Sequence, residues 1–257
     1  MVLNECIDGF ITLSILSVML LNKLVKKFTL YLERFSWEIH NRKVLRSHGQ
    51  SDPMGGFYLE PSDFNFIVQN FDSARSIKID LKNNPNYSNS HLSSEVLLTL
   101  NTNNRYKDGV DLTPVIEFFD SKYGSKIEQV VKSPYRIVNI RAWEMLPLSS
   151  SFGPSSFHTD GFRKSHLKIM IYLSELNSDT GSIQFNGEPP LEKTKGYVLV
   201  FQNSDLVHSA IPGTKYNRKL IEITIQRTTQ KLSLKPMVGY CNDRHLKKPK
   251  FVLRRKL

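Results

Sequence analysis

From Tyr135 onward the chain is cut into short apolar runs of strand length, and this punctuation constrains the fold more than any other feature. The runs are Tyr135–Trp143 (YRIVNIRAW), Leu167–Leu173 (LKIMIYL), Ser182–Phe185, Tyr197–Phe201 and Leu220–Gln226. They are rich in Ile, Val, Tyr and Phe, which fit a pleated surface, and are separated by Gly, Pro, Asn and Asp, which reverse the chain. Short, evenly spaced strands of this kind build a sandwich or a barrel. A double-sheet jelly roll, with helices from the N-terminal half packed on one sheet, uses all of the pieces. The last run alternates: Arg218, Leu220, Glu222, Thr224 and Gln226 share one face, and Ile221, Ile223 and Ile225 the other. The polar face is expected to line a cavity and the isoleucine face to pack on a neighbouring layer.

The N-terminal half has a different texture. Residues 10–46 read as one or two helices, 47–57 (RSHGQSDPMGG) as a turn-rich connector, and 82–91 as an exposed loop. Residues 58–81 hold short apolar pieces that end in a candidate strand, Ser76–Leu81. Thr113 followed by Pro114 starts a helix expected to run to about Ser121. There is no internal repeat. The expected organisation is an N-terminal helical segment and connector (1–57), a β domain with supporting helices (58–230) and a basic C-terminal extension (231–257).

Gly9–Asn22 is uncharged and mostly apolar, yet shorter than the ~20 residues that span a bilayer. Glu5 and Asp8 precede it, unlike the basic start of a secretory signal. Leu21, Leu24, Val25, Phe28, Leu32 and Phe35 continue it at helical spacing, with Lys23, Lys26, Lys27 and Arg34 at other positions. Packing on the domain is the favoured reading; peripheral membrane contact through residues 9–35 is the other. The formal charge of +11 attracts anions, and part of it sits in Arg244, Lys247, Lys248, Lys250, Arg254, Arg255 and Lys256, read as a solvated tail. There is no clear nucleic-acid motif. Two cysteines, Cys6 and Cys241, without a CxxC or Cys/His cluster, give no support to a cysteine zinc site or a disulfide framework and fit a reducing, cytoplasmic setting. Nothing in the sequence specifies an oligomeric state.

The chemistry-bearing candidate is Phe157-His158-Thr159-Asp160, after a loop of Ser, Gly and Pro. On an extended segment residues two apart point the same way, so an imidazole and a carboxylate converge on one ion. A third ligand is needed, and His208, just beyond the Tyr197–Phe201 strand, is the candidate. Two histidines and one carboxylate leave three octahedral positions open, which suits non-haem Fe(II); zinc accepts the same donors. Arg218 follows Ile211-Pro212-Gly213, a turn able to bring it beside His208, and its guanidinium can hold a carboxylate in a bidentate pair. Two other readings stand beside this one. One is a metal-dependent cupin-type enzyme that uses no diacid co-substrate. The other is a non-catalytic basic binding protein on a β-barrel scaffold.

From about Val138 to Arg227 the sequence resembles the phytanoyl-CoA dioxygenase-like branch of the Fe(II)/2-oxoglutarate-dependent oxygenases. The marks are Phe-His-Thr-Asp-Gly (157–161), the strand at 167–176, Asp-Thr-Gly-Ser-Ile (179–183), Gly-Tyr-Val-Leu-Val-Phe (196–201), Leu-Val-His-Ser-Ala-Ile-Pro-Gly (206–213) and Arg218. The resemblance implies a mainly β fold with flanking helices, a double-stranded β-helix. It implies Fe(II) on His158, Asp160 and His208, with the far carboxylate of 2-oxoglutarate on Arg218. It also implies use of O2 to convert 2-oxoglutarate to succinate and CO2 while a small, possibly anionic, metabolite is hydroxylated. Related halogenases lack the carboxylate, so Asp160 argues for hydroxylation or a related oxidation. Lys168, Met170 and Tyr172 share a strand face, and Lys168 or Tyr172 is expected to touch the co-substrate. Asn139, Arg141 and Trp143 share a face of an earlier strand, Asn203 and Ser209 flank the distal histidine, and His166 is read as a non-ligand.

Overall fold

The structure is a computed structural model. It describes residues 54–82, 93–148, 155–160 and 165–228, with positions 21, 22, 24, 25, 28 and 39 and the backbone of 237–238 and 251–252. The chain divides into two compact units, Met1–Lys43 and Val44–Leu257. In the first unit the six described positions are helical, and Leu21, Leu24, Val25 and Phe28 are exposed. The rest of the expected 10–46 helices, most of the connector and nearly all of the 82–91 loop lie outside the described residues, as does most of the basic extension. No helix among the described residues is long and apolar enough to cross a membrane.

The second unit runs β1 (Met54–Tyr58), α1 (Pro61–Ser73), β2 (Ser76–Ile77), α2 (Ser94–Asn103), β3 (Asn104–Lys107), α3 (Thr113–Val131), β4 (Tyr135–Met145), β5 (His166–Tyr172), β6 (Gly181–Phe185), β7 (Tyr197–Phe201), β8 (His208–Pro212) and β9 (Arg218–Arg227). In the C-terminal region the backbone of β10 (Met237–Val238) pairs with β11 (Phe251–Val252). Seven strands form an antiparallel sheet in the order β1-β7-β5-β9-β4-β3-β2. β6 and β8 form a second, smaller sheet, and His158 joins it by a bridge to His208. From β4 to β9, successive segments alternate between the two sheets. That alternation is the winding of a double-stranded β-helix, as the sequence led us to expect.

Two apolar layers follow from the alternation along the strands. On the outer face of the large sheet, Ile221, Ile223 and Ile225 of β9 pack with Leu167, Ile169 and Ile171 of β5 against Ile67 and Phe71 of α1 and Ile116, Phe119 and Tyr123 of α3. Between the sheets, Met170, Tyr172, Phe201 and Leu220 meet Ile183 and Phe185. Helices therefore cover one face, and the other face turns inward to the site.

The N-terminal half departs from its sequence reading in several places. β1 occupies the end of the stretch read as connector. Its Met-Gly-Gly-Phe has a turn-like composition, yet Gly56 leaves room in the strand for the Tyr197 ring, whose hydroxyl would sit 2.0 Å from a Cβ there. The candidate strand Ser76–Leu81 is reduced to Ser76–Ile77. α1 emerges from the apolar pieces at 58–81: Pro61 sits in its first turn, and Ile67 and Phe71 lie one turn apart on its buried side. α2 opens with Ser93, whose hydroxyl caps the Val96 N–H. α3 starts at Thr113 as expected but continues past Ser121 to Val131. Phe119, Tyr123, Ile127 and Val131 keep one side buried through the turn-like Ser-Lys-Tyr-Gly-Ser, and Lys132 ends the helix in the left-handed region.

One polar tie fastens α1 to α3. Buried Asp63 accepts from Lys122 Nζ at 2.6 Å and from the Tyr123 hydroxyl, which itself accepts from the Glu60 N–H at 2.9 Å. Burial works against the Asp63 charge, but Lys122 and Tyr123 outweigh it and hold the carboxyl below its usual range. Burial, with Asp63 beside it, pushes the Tyr123 phenol up to about 12. A depressed carboxyl contributes its stability above the unfolded value of about 3.9 and loses it as pH falls through the lower folded value. Asp63→Asn should therefore cost about 1–3 kcal/mol in urea unfolding at neutral pH. The difference from wild type should shrink as pH drops below about 4; a pH-independent difference would refute this assignment.

Candidate active site

The site is built where the small sheet closes. His158 and His208 face each other as a hydrogen-bonded antiparallel pair, each N–H donating to the other's carbonyl at 2.9 Å. Directly opposed residues in such a pair project to the same side, and the two rings lie 4.6 Å apart. Asp160, two residues on, is fixed by its N–H donating to the Asn203 carbonyl at 3.0 Å. His158 Nε2 is 3.5 Å from Asp160 Oδ1, and His208 Nε2 is 3.8 Å from Asp160 Oδ2. One nitrogen from each histidine and one carboxylate oxygen all lie within 4.8 Å of one another. Among the described residues this is the cluster able to hold a metal ion, and His166 is not part of it.

The imidazole tautomers follow from the backbone. His158 Nδ1 and His208 Nδ1 each lie 2.8 Å from a carbonyl two residues earlier, Ser156 and Leu206 respectively. A carbonyl only accepts, so each Nδ1 carries the proton and each Nε2 presents a lone pair toward Asp160, as a metal ligand requires. His208 is buried, and desolvation lowers its pKa, which keeps it neutral. The Asp160 carboxylate beside it raises that of His158. Burial opposes the Asp160 charge, yet Lys168, His158 and Asn203 together hold its carboxyl far below the usual range. The rings of Phe201 and Phe185 form an apolar wall beside His208.

Arg218, at the start of β9, is buried deeper in the same barrel. One of its terminal nitrogens donates to the Ser182 carbonyl at 2.8 Å and the Ile211 carbonyl at 2.9 Å, and the other meets Met145 Sδ at 3.4 Å. Nε is buried with no partner, and among the described residues no carboxylate pairs with this guanidinium. Desolvation lowers its pKa, and its main electrostatic neighbour is Tyr172. Tyr172 is buried as well, and burial raises its pKa. A buried cation with an orphaned donor is costly unless an anion completes it.

Lys168 points at the metal cluster rather than toward Arg218. Its Nζ contacts Asp160 Oδ2 and lies 3.5 Å from Glu222 Oε2. Glu222 in turn accepts from Arg141 Nε at 3.0 Å, and the Arg141 guanidinium stacks over Trp143 at 5.2 Å. Asn203 Nδ2 donates to Asp160 Oδ2 at 2.9 Å, and Ser209 Oγ donates to the Ser155 carbonyl at 2.6 Å. Sequence alternation placed Asn139, Arg141 and Trp143 together correctly but missed Arg136. The β4 register slips between Ile137 and Asn139, so Arg136 pairs with Gln226 and donates to its Oε1 at 2.7 Å on the inward face. The signal that marked Glu222 was available: a single acid inside an isoleucine-rich strand.

No protein-family model matches the chain, and no curated protein sequence matches it. Solved structures do. SnoN, a non-heme alpha ketoglutarate dependent epimerase from nogalamycin biosynthesis, is 12% identical over 72% of this chain and 82% of its own, with a TM-score of 0.50. HygX from Streptomyces hygroscopicus, solved with nickel, 2-oxoglutarate and hygromycin B, is 12% identical over 84% and 97%, with a TM-score of 0.47. The viral collagen prolyl hydroxylase of Paramecium bursaria Chlorella virus-1 is 11% identical over 68% and 97%, at 0.44. What the likeness to SnoN shows is the fold.

The carbonyls that hold Arg218 depend on a close backbone contact. A Cβ on Gly213 would lie 2.4 Å from the Thr180 carbonyl carbon, and one on Gly181, at φ +92, would lie 2.6 Å from the Gly213 nitrogen. Backbone cannot yield as a flexible side chain does. Gly213→Ala should cost about 1–3 kcal/mol by chemical denaturation. Wild-type stability in this variant would show that the two loops separate freely.

Proposed function

We propose that this chain is an Fe(II)- and 2-oxoglutarate-dependent oxygenase that hydroxylates a small molecule. The observation that carries the reading is the pairing of two features in one barrel. Two Nε2 lone pairs and a carboxylate converge at His158, Asp160 and His208. Arg218, buried and without a carboxylate partner among the described residues, lies deeper on the inward face. A metal site alone would not need that guanidinium, and a non-catalytic basic protein would need neither.

In this reading His158, Asp160 and His208 hold Fe(II). Arg218 holds the distal carboxylate of 2-oxoglutarate, with Tyr172 beside it. Iron and 2-oxoglutarate supply the activation of O2, with succinate and CO2 as the co-substrate's products. The chain's own residues do the rest. Nδ1 hydrogen bonds fix both imidazoles, Phe185 and Phe201 exclude water from the His208 side, and the inward polar faces of β4, β5 and β9 orient the substrate. Asp160 supports hydroxylation, because it fills the position a halide needs in a halogenase. SnoN supports the cofactor class by its own description, although its reaction is an epimerisation.

Anaerobic protein given Fe(II) and 2-oxoglutarate should develop a visible metal-to-ligand charge-transfer band. His158→Ala should abolish the band. Arg218→Ala should raise the 2-oxoglutarate concentration needed by about 10- to 100-fold, the equivalent of about 1.5–3 kcal/mol for a charge-assisted hydrogen bond. Folded, iron-replete wild type with no band would sink the proposal.

A further inference from the structure

We propose that Lys168 is a positioning residue that reserves one oxygen of Asp160, so that the carboxylate meets a metal through its other oxygen alone. The inference rests on the metal-centre reading above and assigns Lys168 a task other than holding the co-substrate. Lys168 is buried in β5, and its Nζ contacts Asp160 Oδ2. Asn203 Nδ2 donates to that same oxygen at 2.9 Å. Oδ2 therefore has two protein donors, whereas the described contact of Oδ1 is the His158 Nε2 at 3.5 Å. His208 Nε2 lies 3.8 Å from Oδ2, so each oxygen has one histidine near it, but Oδ2 already accepts from Lys168 and Asn203, and Oδ1 is the oxygen left for an ion.

Lys168 is itself held in place. Glu222 Oε2 lies 3.5 Å from its Nζ, and Arg141 anchors Glu222 from β4. The cross-strand registers explain the chain of contacts: Lys168 sits opposite Thr224, Met170 opposite Glu222, and Glu222 opposite Arg141. A lysine in the middle of an apolar strand is expensive to bury unless its charge is matched. Here two acids match it, Asp160 and Glu222, and one of them is a candidate ligand.

The consequence is a coordination count. A carboxylate bound through both oxygens takes two positions, and with two histidines leaves two of six. Bound through one, it leaves three, which a chelating 2-oxo acid and a gas molecule together require. Lys168 and Asn203 hold Asp160 to the second state.

The test uses the full chain and Co(II) as a stable stand-in for Fe(II), with affinity measured by calorimetry before any co-substrate is added. Lys168→Met and Asn203→Ala each free Oδ2. Both should bind Co(II) about 10-fold more tightly than wild type, and both should then bind 2-oxoglutarate about 10-fold more weakly. The two variants separate causes, because Lys168→Met also removes a positive charge near the metal and Asn203→Ala does not. A rise in Lys168→Met alone would mean charge repulsion only and would overturn the positioning role. Unchanged or weaker Co(II) binding in both would overturn it too. Thermal unfolding checks each variant, and one that fails to fold is replaced by Lys168→Gln or Asn203→Leu, so that both positions are always tested. Wild type that takes up no Co(II) would instead strike at the metal centre itself.

Discussion

Strand β9 is hydrogen-bonded along its length to β4 on one side and β5 on the other, and its two faces carry opposite chemistry. Ile221, Ile223 and Ile225 lie in the core beneath the helices, and Arg218 and Glu222 face inward. Because the strand period is two, a slip of one residue would put charge into the apolar layer and isoleucine into the site. The same register therefore settles both packing and chemistry. The isoleucine face resists slippage through apolar burial, and every inward residue inherits its position from that resistance. This explains how a strand with so many buried polar groups remains in the centre of the sheet.

The inward surface is a set of matched and unmatched charges. Asp160 and Glu222 share Lys168, and Arg141 completes Glu222. Among the described residues no carboxylate lies against Arg218: its neighbours are carbonyls, a thioether and Tyr172. In a low-dielectric interior, matched groups rigidify and an unmatched one selects what enters. The barrel thus divides into a stiff polar wall around the metal candidates and one deep cationic point. The apolar rings of Phe185 and Phe201 lie on the His208 side.

Much of this was legible in the sequence where strand period and residue type agree. His158 and Asp160 two apart, the polar and isoleucine faces of β9, and the common face of Lys168, Met170 and Tyr172 all follow from a period of two. The N-terminal half was harder for physical reasons. β1 contains Gly55 and Gly56, which read as a turn because the packing that requires a missing side chain, the Tyr197 ring, lies far along the chain. α3 passes through Gly124, where local propensity argues for an end and tertiary burial on one side carries the helix on. Arg136 was hidden by the irregular register near Val138, because a bulge reverses the alternation that sequence reading relies on. The direction of Lys168 was beyond reach as well: its strand face was readable, but which anion it would meet depended on Asp160 arriving from the other sheet.

The paired backbone of His158 and His208 also bears on how the molecule comes together. These residues are distant in sequence, and the two N–H to carbonyl bonds between them close the small sheet. Such a closure carries a loop entropy that the packing of the intervening β5, β6 and β7 must offset. The three candidate ligands come together only through this long-range pairing; His158 and Asp160 alone are neighbours in sequence. An ion held by all three would bind the closed barrel alone and so draw the equilibrium toward it, a latch on the finished fold.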